Sequence, residues 1–496
     1  MHRFRQNLSY ILTIIFALLA IIRFYNLLSM PVFSDEALYL YLADKFQNNP
    51  AAAFNSITFG VMPIVIWLQA FLQKITFNLI NPLVLGRSFS VFADLATAGL
   101  VYQTGRILLS RRAGILAAVI YLLLPLNFLQ SRMFLLDSFT NFLTMLALYL
   151  IIKNTVEGKF NGKIAPGQAF LTSAALGVSF FTKPLAVVTF PAIFTLPFIY
   201  NIRDIHKRWR WLFSNLAAVL IFLALFLAVF YLPLAKGFSD KFISSSNGSV
   251  SAALAHLKIN LWRVNWWTNV YLTLPFLITA LAAALYAVLI KNIRAIWLVF
   301  WIISVTLLDC IFSANFFPRH LYPLSPPVAL ISAFLFNRLF SVNRLLAGLL
   351  LVLVLIPSGN FDLQLLTNPQ KAPLALEDTQ QYFEDWTSGE GDRQIANKLV
   401  ELSKTEPAVV FAENNAQNAW AFSRLYNVGS AEVISSENLS RGKFLSQTEL
   451  SYIPLTDKVY LILNTNPLAP SSWPVKLIFS YPKGHNRTIN LYRVTK

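Results

Sequence analysis

Long apolar runs separated by short basic segments are the feature that most constrains this chain. Over roughly the first 358 residues, stretches long enough to cross a hydrocarbon core of about 30 Å follow one another. Hydrophobic residues make up 56% of the chain and charged residues only 13%, which is more apolar surface than a soluble protein needs. Nine of the 23 acidic residues precede Ser358 and fourteen follow it. We therefore predict a polytopic α-helical membrane protein with a small water-soluble domain after residue 358.

The net charge of +17 does not indicate a nucleic-acid partner, because the Lys and Arg residues stand in short clusters between apolar runs. Arg3 and Arg5 precede the run Tyr10–Leu28, which resembles a signal peptide but has no small-residue cleavage site after it. We interpret this run as a retained first helix. The one cysteine, Cys310, lies inside an apolar run and cannot form an intrachain disulfide.

The rule that basic loops face the cytoplasm predicts about 11 membrane spans. The run Ile57–Phe77 contains Pro63 and is treated as re-entrant, because a full crossing would carry Arg106, Arg111 and Arg112 to the outside. All basic loops then share one side. The predicted spans are Tyr10–Leu28, Leu83–Leu108, Ala113–Leu129, Phe134–Ile152, Ala169–Phe181, Leu185–Tyr200, Trp211–Leu234, Val270–Ile290, Ala295–Phe312, Leu321–Phe336 and Leu345–Pro357.

We expect two domains: a transmembrane catalytic domain over residues 1–358 and an extracytoplasmic α/β domain over residues 359–496. With this threading the unusual segments of the chain, among them a loop over Ala235–Asn269, lie on the outer face. Any chemistry is therefore expected on that face. In the C-terminal domain, apolar periodicity predicts a helix over Gln394–Leu402. β-rich runs predict strands over Ala408–Ala412, Val459–Asn464, Val475–Tyr481 and Thr488–Val494.

Two groups of acidic residues are the candidates for proton transfer. Asp35 and Glu36 are adjacent, with Ser34 as the expected N-cap of a short amphipathic helix at the outer surface. Acidic residues also favour helix N-termini for electrostatic reasons alone. Asp137 stands at the outer start of a span, where it either carries function or pairs with Arg132 or a cation of another helix. Asp94 and Asp309 also fall within spans and are expected to pair helices.

Four cationic or basic side chains are expected near the same outer ends: Arg87, Lys183, Arg319 and His320. Such groups bind phosphate, although each could instead extend to lipid headgroups. Together with the carboxylates they outline a polar cavity for a phosphorylated lipid headgroup and a proton acceptor. We find no Cys/His metal spacing, Walker loop or serine-nucleophile elbow in the sequence. The sequence does not decide whether a divalent cation takes part, so the metal and cofactor stay unknown.

Five sequence blocks in order resemble the polyprenyl-phosphate-dependent membrane glycosyltransferases of the GT-C superfamily. The branch is that of protein O-mannosyltransferases and lipid A aminoarabinose transferases, and the resemblance covers nearly the whole chain. A sixth segment, EDWTSGEGDRQIANKL, looks like the start of the family's extracytoplasmic domain. The five blocks are FSDEALYLYLADKF, GRSFSVFADLATAGLVYQTGRILLSRRAG, SRMFLLDSFTNFL, ALGVSFFTKPLAV and FFPRHLYPLSPPVAL.

The resemblance implies a role for each matching residue. Asp35 would be the general base of an inverting transfer, with Glu36 beside it, and Asp137 would be the family's second acidic position. The basic positions near the donor phosphate would be Arg87, Lys183 and Arg319.

One position departs from the family pattern. Relatives often carry a Lys directly before a Pro in the segment after the acidic helix, whereas Val61 and Met62 precede Pro63 here. Another cation then takes over the contact with the lipid phosphate, or the donor site differs.

The function implied by the resemblance is transfer of a sugar from a polyprenyl-phosphate carrier to an acceptor protein, lipid or glycan. The reaction is expected on the non-cytoplasmic face of the cell membrane, with membrane lipid as a further partner. A transporter or lipid flippase is the alternative, but the chain lacks internal repeats and its acidic residues gather at one face. A non-catalytic binder of lipid-linked sugar stays open because of the missing Lys before Pro63.

Overall fold

A computed structural model describes residues 14–156, 166–199, 209, 213, 250–313, 315–404, 407–414, 418–451, 458–465, 467–484 and 487–495. The chain divides into two compact units. The first consists of Met1–Leu27, Ala53–Trp67 and Arg87–Ala375. The second consists of Leu28–Ala52, Leu68–Gly86 and Leu376–Lys496.

Helices dominate the chain up to residue 367, as the apolar runs predict. Short 3-10 turns join several of them. Predicted site residues lie directly before the turn Pro184–Thr189 and within the turn Pro318–Leu324. The α-helices are Ile14–Phe24, Ser34–Asn48, Asn55–Thr58, Pro63–Ile75, Pro82–Leu108, Arg111–Leu123, Pro125–Ser131, Leu136–Val156, Pro166–Thr182, Phe190–Ile199, Val250–Thr268, Leu274–Leu289, Ile293–Phe312, Ser325–Val342 and Arg344–Thr367.

Among the described residues, six helices are long and apolar enough to cross a membrane, or seven if one bent pair counts as a span. Four shorter apolar helices accompany them: Ile14–Phe24, Pro63–Ile75, Phe170–Thr182 and Pro184–Leu196. The multi-pass membrane fold is therefore confirmed, while the predicted number of about 11 spans stays a prediction. The predicted span Trp211–Leu234 lies outside the described residues.

The bent pair replaces the single span predicted over Ala113–Leu129. Helix Arg111–Leu123 ends before Pro125, and helix Pro125–Ser131 continues at an angle of 63°. Proline lacks the N–H that would continue the first helix and disfavours helical geometry at Leu124, whose ψ is 126°. This break brings residues 125–135 back into the interior of the first unit, where nearly all of them are buried.

The loop predicted over Ala235–Asn269 is wrong in its second part, because Val250–Thr268 is a helix. The Lys, His and Arg residues of this helix lower its mean hydropathy. The Asn260 side chain contributes to the docking of the helix. The Asn260 amide donates to the carbonyl oxygens of Cys310 and Ser313, at 3.0 and 2.9 Å. It thereby satisfies backbone acceptors at the C-terminal end of helix Ile293–Phe312.

The second unit contains a five-stranded mixed sheet. The strands are β1 Ala408–Glu413, β2 Glu432–Ser436, β3 Lys458–Leu463, β4 Val475–Gly484 and β5 Arg487–Val494. Their order in the sheet is β2-β1-β3-β5-β4. β1 pairs in parallel with β2 and β3, whereas β5 is antiparallel to both β3 and β4. Helix Asp392–Ser403 packs against the sheet, and the four predicted strands and this helix are confirmed.

Two features define the extent of the second unit, while the predicted division into domains at residue 358 stays a prediction. Its C-terminal part begins at Leu376, because helix Arg344–Thr367 continues through residues 358 and 359 with Pro357 inside it. The unit also includes the segment Leu28–Ala52, and with it the helix that bears the adjacent acidic residues. The position of that segment follows from long-range contacts that periodicity does not encode.

Candidate functional site

An ion pair between Asp137 and Lys183 forms the centre of the candidate site in the first unit. Asp137 lies in the first turn of helix Leu136–Val156, and Lys183 is the N-cap of the 3-10 turn that begins at Pro184. The Lys183 Nζ atom donates to Asp137 Oδ1 at 2.6 Å. Asp137 is 9% exposed and Lys183 20%, so the carboxylate is covered while the ammonium reaches the surface of the site.

Asp309 is a third ionisable residue at the same end of the first unit. It stands near the C-terminal end of helix Ile293–Phe312 and is 1% exposed. No described residue donates a hydrogen bond to either of its carboxyl oxygens, and it interacts electrostatically with Lys183 and Asp137. The sequence predicted only a helix-pairing role for Asp309. The sequence feature that could have indicated a site role for Asp309 is its position in the last turn of a span, shortly before the turn that contains His320.

His320 and Arg319 enter the site from the 3-10 turn Pro318–Leu324, which contacts helices Leu136–Val156 and Ile293–Phe312. His320 is buried, its ring lies 5.5 Å from that of Phe316, and no described residue bonds its Nδ1 atom. It interacts electrostatically with Lys183 and Arg319. The structure therefore brings together four of the predicted residues, Asp137, Lys183, Arg319 and His320, and adds Asp309.

Arg87 lies in the same unit but in a different polar cluster. It is fully buried, and its Nη1 atom donates to the Leu27 carbonyl at 2.6 Å. Arg132 bonds the carbonyls of Arg23, Tyr25 and Asn26 at 3.2, 2.9 and 2.7 Å. Two arginines thus satisfy the backbone acceptors that follow helix Ile14–Phe24.

Asp94, which the sequence expected to pair helices, is confirmed in that role. Its carboxylate forms a buried salt bridge with Arg23 at 2.8 Å. The hydroxyls of Tyr121 and Tyr322 donate to the same carboxylate at 2.7 and 2.5 Å. The pair joins the first helix to helix Pro82–Leu108.

Asp35 and Glu36 lie in the second unit, in the first turn of helix Ser34–Asn48. The predicted N-cap is wrong by one residue, because Phe33 has the extended N-cap conformation and Ser34 is the first helical residue. Glu36 is fully buried, and its Oε2 atom accepts a hydrogen bond from the Phe33 N–H at 3.1 Å. Asp35 is half-buried. Glu36 thus stabilises the start of the helix by a capping interaction, in addition to the electrostatic preference of acidic residues for helix N-termini.

Within the described residues, no three His, Cys, Asp or Glu side chains converge as ligands for a metal ion. The chemistry available in the first unit is therefore that of two cations and a histidine beside two carboxylates. Such a set can hold an anionic group through Lys183 and Arg319 while Asp137 fixes the Lys183 ammonium.

Sequence comparison identifies a family match over part of the chain. Residues 60–232 match the family of dolichyl-phosphate-mannose-protein mannosyltransferases, a range that includes Arg87, Asp137 and Lys183. No curated protein sequence shows significant similarity to the chain.

Solved structures with a similar fold cover nearly the whole chain. ArnT from Cupriavidus metallidurans in the apo state has a TM-score of 0.63 at 14% identity, over 97% of this chain and 98% of that chain. The same protein bound to undecaprenyl phosphate gives a TM-score of 0.55, with the same identity and coverage. The oligosaccharyltransferase of Archaeoglobus fulgidus, in complex with Zn and sulfate, gives 0.51 at 12% identity, over 91% of this chain and 68% of that chain. The predicted resemblance is therefore confirmed in the fold: the chain has an ArnT-like membrane fold, and part of it matches the mannosyltransferase family.

Proposed function

We propose that this protein is a membrane glycosyltransferase that transfers a sugar from a polyprenyl-phosphate carrier to an acceptor, with inversion, on the non-cytoplasmic face. The family match and the shared fold support glycosyl transfer in general terms. The observation that carries the donor class is the Asp137–Lys183 pair, with Arg319 and His320 beside it, at one end of the helical unit. A protein of similar fold binds undecaprenyl phosphate, which carries the same phosphate group as the proposed polyprenyl-phosphate carrier.

The donor phosphate would bind through the basic groups of the first unit. As the bond to the sugar breaks, negative charge develops on the phosphate oxygens, and a fixed ammonium stabilises that charge without reorganising. Asp137 holds the Lys183 ammonium in place at 2.6 Å, so Asp137 acts here through Lys183. Arg319 and His320 would supply further donors. Arg87 bonds the Leu27 carbonyl in a separate buried cluster, so its predicted contact with the phosphate stays a prediction.

Asp35 would be the general base that accepts the proton of the acceptor hydroxyl or amine. A carboxylate can serve because the proton leaves as the new bond to the sugar forms, and such catalysis contributes about 100- to 10,000-fold. Glu36 is committed to the start of its helix through the bond from Phe33, which leaves Asp35 as the better candidate of the two.

The base is tested by replacing Asp35 with Asn in membranes of a strain that lacks the chromosomal gene. A radiolabelled polyprenyl-phosphate sugar is added, and the label that leaves the donor is followed by chromatography. We expect Asp35→Asn to lower the rate about 100-fold or more. The matched control is Asp44→Asn in the same helix. Asp44 pairs with Arg424 at 3.5 Å, and such a partly exposed pair contributes little to stability.

The phosphate site is tested by binding rather than by turnover. We expect Lys183→Met to weaken binding of undecaprenyl phosphate to the purified protein about tenfold or more, as loss of a charged hydrogen bond does. Lys371→Met, an exposed lysine of the same unit, is the control and should bind normally. Two outcomes would contradict the proposed function. Full transfer by Asp35→Asn would exclude Asp35 as the base. Binding of the donor by the wild-type protein without any transfer would instead favour a non-catalytic binder.

A further inference from the structure

The segment that carries Asp35 is bonded to a loop of the C-terminal part of the same unit. We call this loop, residues 385–389, the strap. The Ser34 N–H donates to the Thr387 carbonyl at 2.8 Å, and the Gly389 N–H donates to the Val32 carbonyl at 2.7 Å. These two bonds flank the residue just before the helix, so the strap fixes the backbone one residue from Asp35.

Side chains on both partners support this bridge. Phe33 and Ser388 are its paired residues, and the Phe33 ring meets the Tyr382 ring edge-on at 5.1 Å between centroids. The Ser388 hydroxyl donates to the Tyr382 carbonyl at 2.7 Å. The strap is therefore held at its centre as well as at its bonded edge.

A buried lysine holds the strap from its other side. Lys483, in β4, is 7% exposed, and its Nζ atom donates to the carbonyls of Ser388 and Asp385 at 2.5 and 3.4 Å. A third bond, of 2.7 Å, reaches the Asn464 side-chain oxygen, and the Asn464 amide in turn donates to the Trp386 carbonyl at 2.9 Å. Two of the three acceptors of Lys483 thus belong to the strap.

Burial lowers the pKa of Lys483 to about 8, even though attraction to Asp392, Glu390, Asp385 and Glu413 acts in the opposite direction. A pKa of about 8 leaves most of the ammonium charged at neutral pH. A buried lysine is costly unless its charge is well compensated. One explanation is that Lys483 only stabilises the end of the sheet. That explanation does not account for why its bonds go to the backbone of a loop instead of to neighbouring strands.

We propose that Lys483 is a positioning residue for the transfer reaction. By holding the strap, it fixes the start of helix Ser34–Asn48 and so the orientation of the Asp35 carboxylate. This inference rests on the proposed function, in which Asp35 is the base. A displacement of about 1 Å at a reacting group can lower the rate about 100-fold, so a positioning residue affects kcat more than KM.

The test is Lys483→Met, which removes the three donors but keeps most of the apolar volume. We expect kcat to fall about tenfold or more while KM for the lipid donor stays within about twofold. Hydrogen exchange should become faster at the amides of Ser34 and Gly389 and stay unchanged in β1 and β3. The matched control is Lys476→Met on the same strand, where the lysine is exposed and kcat should not change.

A second variant disturbs the strap without removing a charge. A Cβ atom on Gly389 would lie 2.8 Å from both the Val32 carbonyl oxygen and Asp392 Oδ2, so Gly389→Ala should push the strap away from the acidic segment. We expect this variant also to lose kcat, with KM for the donor preserved.

Three outcomes would overturn the proposal. The first is unchanged kcat in Lys483→Met, and the second is unchanged kcat in Gly389→Ala when exchange at Ser34 is faster. The third is a loss of kcat that is matched by faster exchange throughout the sheet, which marks a merely structural role. Failure of the proposed function shows differently, as full activity in Asp35→Asn. The positioning role alone fails when Asp35→Asn is inactive and Lys483→Met is fully active.

Discussion

Buried charges in the first unit are paired across helices in ways that combine a salt bridge with hydrogen bonds. Arg23 pairs with Asp94 at 2.8 Å, and its Nη2 atom also donates to the Leu122 carbonyl at 2.6 Å. Breaking such a pair by removing one partner costs about 3–5 kcal/mol, because the other charge stays buried. Asp309 differs, since no described residue bonds its oxygens. The Arg23–Asp94 pair therefore joins helices, and we expect a ligand at the Asp137–Lys183 end of the unit instead.

In the second unit, Glu449 is held by four hydrogen bonds and is expected to make stability depend on pH. Its oxygens accept from the Ser436 hydroxyl at 2.5 Å, from the Asn438 amide at 2.7 Å, and from the Ser446 N–H and hydroxyl at 2.7 and 2.8 Å. Partial burial raises the pKa of Glu449, but these donors outweigh burial and lower it below its ordinary value of 4.5. The charged carboxylate therefore contributes stability above about pH 4.5, and this contribution is lost as the pH falls through the lower value of the folded state. We expect Glu449→Gln to lower the free energy of unfolding by about 1–2 kcal/mol at pH 7, and by less below about pH 4.

The measurement is hydrogen exchange in β2 and in the following helix, Glu437–Ser440, at two pH values. The control is Glu437→Gln, because Glu437 pairs with Arg441 on the surface at 3.3 Å and such pairs contribute less than about 1 kcal/mol. An effect of Glu449→Gln that is as large at pH 3.5 as at pH 7 would contradict the assignment of the charge.

The sequence predicted individual site residues unevenly, and the reasons are physical. Asp137 and Lys183 could be found because a charged residue at the end of an apolar run has few explanations. Lys483 could not, because a lysine next to Pro482 and Gly484 in a hairpin has the pattern of a solvated turn. Its burial arises from the strap, which contacts β4 across almost a hundred residues of sequence. Asp309 was assigned to helix pairing because sequence alone does not give its partners.

At the scale of helices, Gly105 and Gly114 allow the close approach of helices Pro82–Leu108 and Arg111–Leu123. A Cβ atom on Gly114 would lie 2.5 Å from the Tyr102 carbonyl oxygen and 2.8 Å from the Arg106 nitrogen, both of which are backbone atoms. Small residues let helices pack closely in membranes, where dispersion contacts replace the hydrophobic effect. We expect Gly114→Ala to destabilise the protein by about 1–3 kcal/mol, because the two helices must move apart.

Thermal unfolding of the purified protein in detergent measures this effect. Gly99→Ala is the matched control in the first of the two helices, since nothing lies within 4 Å of its added Cβ atom. It should be neutral or stabilise the helix by about 0.5–1 kcal/mol. An equal decrease in Tm for both variants would show that the close approach at Gly114 is not the cause.

Among the elements, regular periodicity was the part that sequence could predict. The predicted strand Val459–Asn464 and helix Gln394–Leu402 are present within a residue or two of their expected ends. β2 was missed because Glu432–Ser436 is a short strand at the sheet edge with only two apolar residues, and only one of its five residues is buried. Helix Val250–Thr268 was missed because its basic residues lower its hydropathy, and because its contacts with helix Ile293–Phe312, among them the Asn260 hydrogen bonds, are not visible in the sequence.

At the scale of the whole molecule, the helices of the first unit have a basic end and a site end. Helix Ile293–Phe312 has Arg294 at its start and Asp309 near its end. The 3-10 turn and helix that follow have His320 at their start and Arg338 near their end. Arg294 donates to the carbonyl of Leu108 at 3.1 Å. Leu108 ends helix Pro82–Leu108, whose last turn contains a second arginine, Arg106. Basic ends of helices mark the cytoplasmic side, which supports the proposal that the Asp137–Lys183 site faces away from the cytoplasm.

This orientation predicts which residues a membrane-impermeant reagent reaches in sealed, right-side-out vesicles. The background is Cys310→Ser, because Cys310 is the one cysteine of the chain and is buried. Ser341, between Arg338 and Arg344, and Ser471, in the C-terminal domain, are both exposed. We expect a charged maleimide to label Ser471→Cys in intact vesicles and to label Ser341→Cys only after detergent opens them. The expectation follows from the preference of basic loops for the cytoplasmic side. Labelling of Ser341→Cys alone in sealed vesicles would reverse the orientation and exclude transfer on the outer face, whereas glycosyl transfer itself would remain to be judged from Asp35→Asn.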